Sequence, residues 1–500
     1  MPEPFVKTRI VFRALDRPGK VAVAIGILAV AVRFIAINQP FVDDWSWRQS
    51  DVAAIARNFH DNGFHFAYPQ IDWAGDQPGY VGTEFPILPF LAALVYRFMG
   101  IHAWVGRSQA VLLFAVSLPF FFLLVRKVFD GAAACWALVF YSFAPLAVMA
   151  SRCFMPDVPS LSLSIIGLYL FLRWSENGRP ALLLVAALAT SLAILIKVPT
   201  ALIGVPLAVI AFTRFGFSAV RRPGLWLFGA IALLPSLAWY WHAHSVSEQF
   251  YPYHFFGAGG FHIEPLSWYW KIARLTVLSS LTVVLFAVAV AGVFIGQRDS
   301  DQRVFRWWGG AMLLFVLVVG YGNRHPWYQL PFVPIAAAFA GGFCSMAQRT
   351  VSGRSITRIF AVTVLLSFGF LAYSKAKLFY SESAGDLRKL GLELKASTPA
   401  DSLVVTADYG DPTAFYYGER KGWHFLEKSG MYDGHPTASD DAIADLESLR
   451  HRGATHIAFY SGTLWWLDYY KEFAEHLSAT ATLQASTPAY RIYRLNSSAP

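Results

Sequence analysis

The chain has 500 residues, 56% of them hydrophobic and only 15% charged, where a soluble domain carries roughly 25%, and its 42 Phe, 22 Tyr and 17 Trp place most of it in a bilayer. The net charge of +9 does not point to nucleic acid, because Lys and Arg stand in short clusters between apolar runs, where they orient helices. The cysteines, Cys135, Cys153 and Cys344, are scattered, so neither a disulfide framework nor a thiolate metal site is expected.

In chain order, Lys7, Arg9, Arg13, Arg17 and Lys20 precede the apolar run Val21 to Ile37, and no small-residue cleavage site follows. This predicts a signal anchor with residues 1–20 as a basic cytoplasmic N-terminus. The next stretch, 39–84, is a polar, aromatic insert. Asp43, Asp44 and Asp51 lie near its start with Arg48 among them, and Glu84 closes it just before Pro86. Carboxylates beside a membrane are costly unless they work or are paired, so this insert is the expected catalytic loop.

Spanning candidates of about 20 residues fall at 21–38, 104–125, 132–150, 158–174, 180–197, 199–214, 224–241, 273–296, 307–321, 327–346 and 356–373, which makes eleven. The run 85–99 is equally apolar but short and ends near Arg97. If it does not cross, Arg126–Lys127, Arg173–Arg179, Arg214–Arg222, Arg298–Arg306 and Arg349–Arg358 all become cytoplasmic, as the positive-inside pattern requires; 85–99 is therefore read as an interfacial or re-entrant helix. In that topology the loop 39–84, the segment Ser151–Asp157, the Lys197–Thr200 hairpin, the loop 242–271 and the Tyr321–Trp327 turn share the outer face. A site assembled from several outer loops is expected. After about residue 378 no spanning run remains. DSLVVTAD reads as a strand, DAIADLESLRHRG as a helix ending at Gly453, and ATHIAFYSG as a strand, so 378–500 is predicted to be a soluble, extracytoplasmic α/β domain.

The stretches WRQSDVAAIARNF, EFPILPFLAALVYRFMG, RCFMPD and HPWYQLPFVP, in that order along residues 20–375, resemble the bacterial polytopic glycosyltransferases of the C-type fold. The branch they most resemble is that of lipid A and lipopolysaccharide-core transferases, aminoarabinose transferase-like and related to polyprenyl-phosphate-mannose protein mannosyltransferases. The resemblance implies an all-α membrane domain over 21–375 with a C-terminal α/β domain. It implies a sugar moved from a polyprenyl-phosphate donor to an acceptor glycolipid (lipid A or lipopolysaccharide core), other glycan or protein, among membrane lipids, on the periplasmic side of a bacterial inner membrane. Such chemistry needs a carboxylate for the acceptor proton or the developing anomeric charge, cations or donors for the departing phosphate, and aromatic rings for sugar faces.

The resemblance assigns the carboxylate to Asp44 or Asp51, with Asp43 next; the alternative is that these aspartates cap a helix near Trp47 or pair with Arg48. Arg48 and Gln49 stand where some relatives carry an acidic pair. Glu84 matches an acidic position beside the donor that can help hold a divalent cation, or it is a carboxylate at a helix N-terminus. Relatives follow it with Lys, whereas this chain has Phe85. Arg48, Arg152 and Asp157 are further donor or phosphate contacts, with an Arg152–Asp157 salt pair as the alternative. Lys197 is a phosphate ligand or a snorkelling side chain. Arg324, His325 and Tyr328 contact phosphate or open a helix before and after Pro326.

The loop 242–271 holds His242, His244, His254 and His262 among Tyr251, Tyr253, Trp268 and Trp270. No compact zinc motif is present, so an aromatic lid over a sugar is expected, with Glu84, His254 and His262 as the metal candidates. A lipid-linked sugar transporter or flippase is the rival reading. It would show inverted repeats and mid-membrane charges, which the sequence lacks. A receptor role, with aromatic patches Tyr416–Tyr417 and Trp465–Trp466 meeting a ligand or forming core, is the third.

Overall fold

A computed structural model describes residues 15–251, 262–295, 303–351, 353–428 and 431–496. The chain divides into two compact units, Met1–Ile37, Arg107–Trp239 and Gly259–Leu378 in one, and Asn38–Gly106, Tyr240–Ala258 and Phe379–Pro500 in the other.

The first unit is helical. Among the described residues, seven helices are long and apolar enough to cross a membrane, or eight if the bent pair Leu266–Leu281 and Val283–Phe294 counts as one span. That count is below the expected eleven because several of the expected runs are short or broken, while their helices are present. Arg17–Arg33 and Pro180–Ile196 have 17 residues each, about 25 Å of helix against a hydrocarbon core of about 30 Å. The run at 132–150 splits into Gly131–Phe143 and Pro145–Ala150 because Ala144, ahead of Pro145, is extended at ψ 136°, the conformation that a following proline imposes. The bent pair turns by 104° after a π-helical turn, at Thr282, whose φ is +81°. Small residues bring helices close: a Cβ on Gly341 would lie 2.3 Å from the Ala133 carbonyl oxygen.

The second unit is built on a five-stranded sheet. Its strands are β1 (Leu403–Ala407), β2 (Lys421–His424), β5 (Ala454–Tyr460), β6 (Ala481–Ser486) and β7 (Tyr490–Leu495), with a small ribbon of β3 (Glu427–Lys428) and β4 (Met431–Tyr432) beside it. The order is β2-β1-β5-β7-β6, the first three parallel and β7 antiparallel to both its neighbours. The strands expected at DSLVVTAD and ATHIAFYSG and the helix Ser439–His451 before Gly453 are all present.

Alternation along β1 and β5 sends side chains to two cores. Val405, Ile457 and Phe459 pack with Trp423, Trp466 and Phe473 on one face. Val404 and Ala458 face Leu387 and Leu390 together with Ile55, Phe59, Ile71 and Val81 from the first loop. The first loop is therefore part of this unit's core. It also closes the free edge of β2, where Gly75 N–H donates to Gly422 O (2.7 Å) and Gly422 N–H to Asp72 O (3.0 Å). Helix Pro223–Gln249 runs on past the predicted end at residue 241, so His242 and His244 are helical rather than loop residues. Tyr253 and His254 lie outside the described residues.

Candidate active site

In the second unit the site is built at the start of helix Ser46–Asp61. Asp43 is fully buried. Its carboxylate accepts the Trp45 N–H (3.0 Å) and the Gln49 side-chain amide (2.9 and 3.0 Å), while its carbonyl accepts the Ser46 N–H (2.8 Å). That is the geometry of a group holding the helix entry. Asp44 points the other way, is exposed, and accepts the Ser383 hydroxyl at 2.7 Å.

One turn on, Arg48 Nη1 donates to Asp51 Oδ2 at 2.6 Å, the i, i+3 spacing that places two helical side chains together. Its Nη2 reaches both oxygens of Glu84, at 2.6 and 2.7 Å. The three side chains are 13%, 2% and 13% exposed for Arg48, Asp51 and Glu84. Two carboxylates thus share one guanidinium in a poorly hydrated place. Helix Ile87–Met99 has Pro86 at its cap, and Glu84, two residues ahead, also accepts the Thr83 hydroxyl at 3.2 Å. Ser46 Oγ donates to Asp411 Oδ2 at 2.6 Å. Burial pushes the Asp411 carboxyl above its ordinary range, partly offset by that hydroxyl and by Thr413. Asp411 had no sequence signal, since its partner is 365 residues away.

In the first unit Asp157 opens helix Asp157–Asn177, and Lys197 caps the end of helix Pro180–Ile196 in an extended conformation before Val198–Pro199. Their side chains form an ion pair, with the ammonium 4.6 Å from the centre of the Tyr328 ring. Asp157 Oδ2 is buried and accepts no hydrogen bond among the described residues. These three groups stand on the wall of a pocket of about 470 Å³, its open mouth included, otherwise lined mainly by apolar side chains such as Leu161, Ile203, Trp308 and Phe315.

Arg152 is not Asp157's partner, which corrects that alternative. It is fully buried and donates to Ala36 O at 2.9 Å. Arg324 lies over the Tyr321 ring at 4.2 Å, and His325 stacks on Trp327 at 4.5 Å with the rings nearly parallel, 4° apart. Sequence reasoning passed over Arg33. It is buried, donates to Ala29 O and Ser142 O at 2.6 and 2.8 Å, and lies 3.7 Å from the centre of the Phe114 ring. A lone arginine closing an apolar run was the available signal.

Among the described residues no three His, Cys, Asp or Glu side chains gather as a metal-holding group. His262 is engaged through its backbone N–H to Val318 O (3.0 Å). His242, in the second unit, bonds Ala67 O through Nε2 at 2.8 Å and meets the Tyr68 ring edge-on.

Comparison with known proteins agrees with this architecture. Residues 76–241 match the model of the dolichyl-phosphate-mannose-protein mannosyltransferase family. That match includes Glu84, Arg152, Asp157 and Lys197 and stops short of the first-loop aspartates. No curated protein matches the sequence. Among solved structures, ArnT from Cupriavidus metallidurans in the apo state superposes with a TM-score of 0.67 at 15% identity over 94% of this chain and 97% of that one. The same protein bound to undecaprenyl phosphate gives 0.63 at 13% identity with the same coverage. The Archaeoglobus fulgidus oligosaccharyltransferase in the apo form gives 0.59 at 13% over 88% and 70%. The chain is thus a multi-pass membrane protein with the polytopic C-type glycosyltransferase fold.

Proposed function

We propose that this chain is an integral-membrane glycosyltransferase that moves a sugar from a polyprenyl-phosphate donor to a hydroxyl of an extracytoplasmic glycan or glycolipid. The family match and the ArnT-like fold support the class of reaction. The observation that carries it to this chain is the Arg48 guanidinium shared by Asp51 and Glu84. In the reaction the bond from the anomeric carbon to the phosphate oxygen breaks, the polyprenyl phosphate leaves with the electron pair, and the acceptor oxygen bonds to the anomeric carbon. The acceptor's proton passes to a carboxylate. Asp44, accessible and held only lightly by Ser383, or Asp51, oriented by Arg48, is assigned that role. Asp43, tied to the helix entry, is assigned a structural one.

In the first unit, the Lys197 ammonium against an apolar pocket wall is assigned to a lipid phosphate, a point charge beside a place for hydrocarbon. Arg152, Asp157, Arg324, His325 and Tyr328 are assigned as supporting groups. The spacing of the basic loops supports a reaction on the outer face of a bacterial plasma membrane.

The test is Asp51→Asn and Asp44→Asn, each scored for membrane insertion and for transfer of labelled sugar from polyprenyl phosphate. One of them is expected to insert normally and lose activity by about 10²-fold or more, the usual weight of a general base. Full activity in both at normal insertion defeats the assignment.

A further inference from the structure

We infer that the second unit carries a sugar-binding shelf at the carboxyl ends of its parallel strands, formed by Tyr409, Trp465 and Tyr469, and that its occupant is a neutral pyranose of the acceptor glycan. The occupant, though not the shelf, rests on the function proposed above. In open sheets with parallel strands, ligands settle outside the carboxyl ends of those strands. Tyr409 follows β1 and Trp465 follows β5, which are neighbours in this sheet.

The rings are exposed where a core would hide them: Tyr409 is 45%, Trp465 40% and Tyr469 71% accessible. Trp465 and Tyr469 stand edge to face, 5.8 Å between centres and 69° apart, so a bound ring meets one flat face and one polar edge. The arrangement is held in place from behind. Trp465 Nε1 donates to the Tyr409 hydroxyl at 3.0 Å, and that hydroxyl donates to Gly462 O at 3.2 Å.

Tyr409 has φ +56°. A bulky residue in the left-handed region is strained and persists where the surrounding contacts impose it, often at a ligand site. Charge selects the occupant. Of the charged residues next to these rings in sequence, Asp408 is buried against His424, Asp411 is held by Ser46, and Asp468 and Lys471 are exposed. Exposed charges that balance suit a neutral, hydroxyl-bearing ligand better than an anionic headgroup surface or a phosphate. Aromatic bodies with polar tips serve a ligand that offers apolar C–H faces and a fringe of hydroxyls.

The probe is a neutral hexopyranose oligosaccharide free of phosphate and acidic sugars, titrated against the full-length chain in neutral nanodiscs and followed by saturation-transfer NMR. Saturable binding is expected, weakened about tenfold or more by Tyr469→Ala and by Trp465→Ala, the loss of one well-stacked contact. Asp51→Asn, expected to bind as the wild type, separates recognition from chemistry. A chain that binds the oligosaccharide and transfers no sugar overturns the proposed reaction and leaves the shelf standing. Absence of binding overturns the shelf, as does binding indifferent to Tyr469→Ala, which removes so exposed a ring that the fold is untouched. Quenching of a fluorophore at Tyr469→Cys by lipid-borne nitroxide also overturns it, because the rings would then be dipping into the membrane.

Discussion

Lys197 and Asp157 form an ion pair in the first unit with both side chains largely buried, and that burial sets the cost of disturbing it. Removing one partner of a buried pair strands the other, at about 3–5 kcal/mol, whereas removing both costs less than the sum. Lys197→Ala is expected to lower thermal stability in detergent markedly and Lys197→Ala with Asp157→Ala to recover part of it; additive losses would show that the two do not act as a pair. The residue types here were legible in the sequence, and the partners were not. SRCFMPD put Arg152 beside Asp157 in the chain, yet the carboxylate turns to a lysine 40 residues on. Asp43, Asp44 and Asp51 looked alike as letters. Asp43 and Asp44 both precede the helix and Asp51 lies inside it, and only the fold ties the first to Gln49, leaves the second exposed and gives the third to Arg48.

Helix Ser439–His451 carries a carboxyl with an unusual titration. Burial first of all, then the nearby Glu427 and Asp441 charges, raises Asp445 from 3.8 to about 7, against the pull of the Glu427 N–H that it accepts at 2.9 Å. Because the folded form prefers the proton, Asp445's contribution to stability is greatest below about pH 4, falls as pH rises toward 7, and is flat above. Asp445→Asn keeps an oxygen for the Glu427 N–H. It is expected to reduce the fall in melting temperature between pH 5 and pH 7.5 relative to the wild type, and an unchanged fall would remove Asp445 from the account. At this scale the periodic patterns were readable. Every apolar run became a helix, and the strands around Val404–Thr406 and Ile457–Phe459 follow from alternation. The broken spans were less so. A proline at 145 announces its own break, but a β-branched threonine at φ +81° does not.

In the whole molecule, the boundary drawn near residue 378 marks a change of composition without marking an independent fold. Residues 38–106 and 379–500 share one compact unit. Phe41 N–H donates to the Tyr417 hydroxyl at 2.7 Å, Arg57 to Tyr416 O, and Arg452 pairs with Asp76 at 2.9 Å. Contacts spanning more than 350 residues leave no local trace, which is why composition drew its boundary near residue 378. Truncation after residue 378 is expected to expose the loop 39–84 to protease and abolish transfer even where membrane insertion survives; an active truncated chain would contradict this. The most direct measurement of the central claim follows labelled sugar from polyprenyl phosphate in nanodiscs containing the purified chain and an acceptor glycolipid. The account predicts label covalently on the acceptor with stoichiometric release of polyprenyl phosphate, and label that crosses a sealed bilayer still attached to its lipid, with no bond broken, would contradict it.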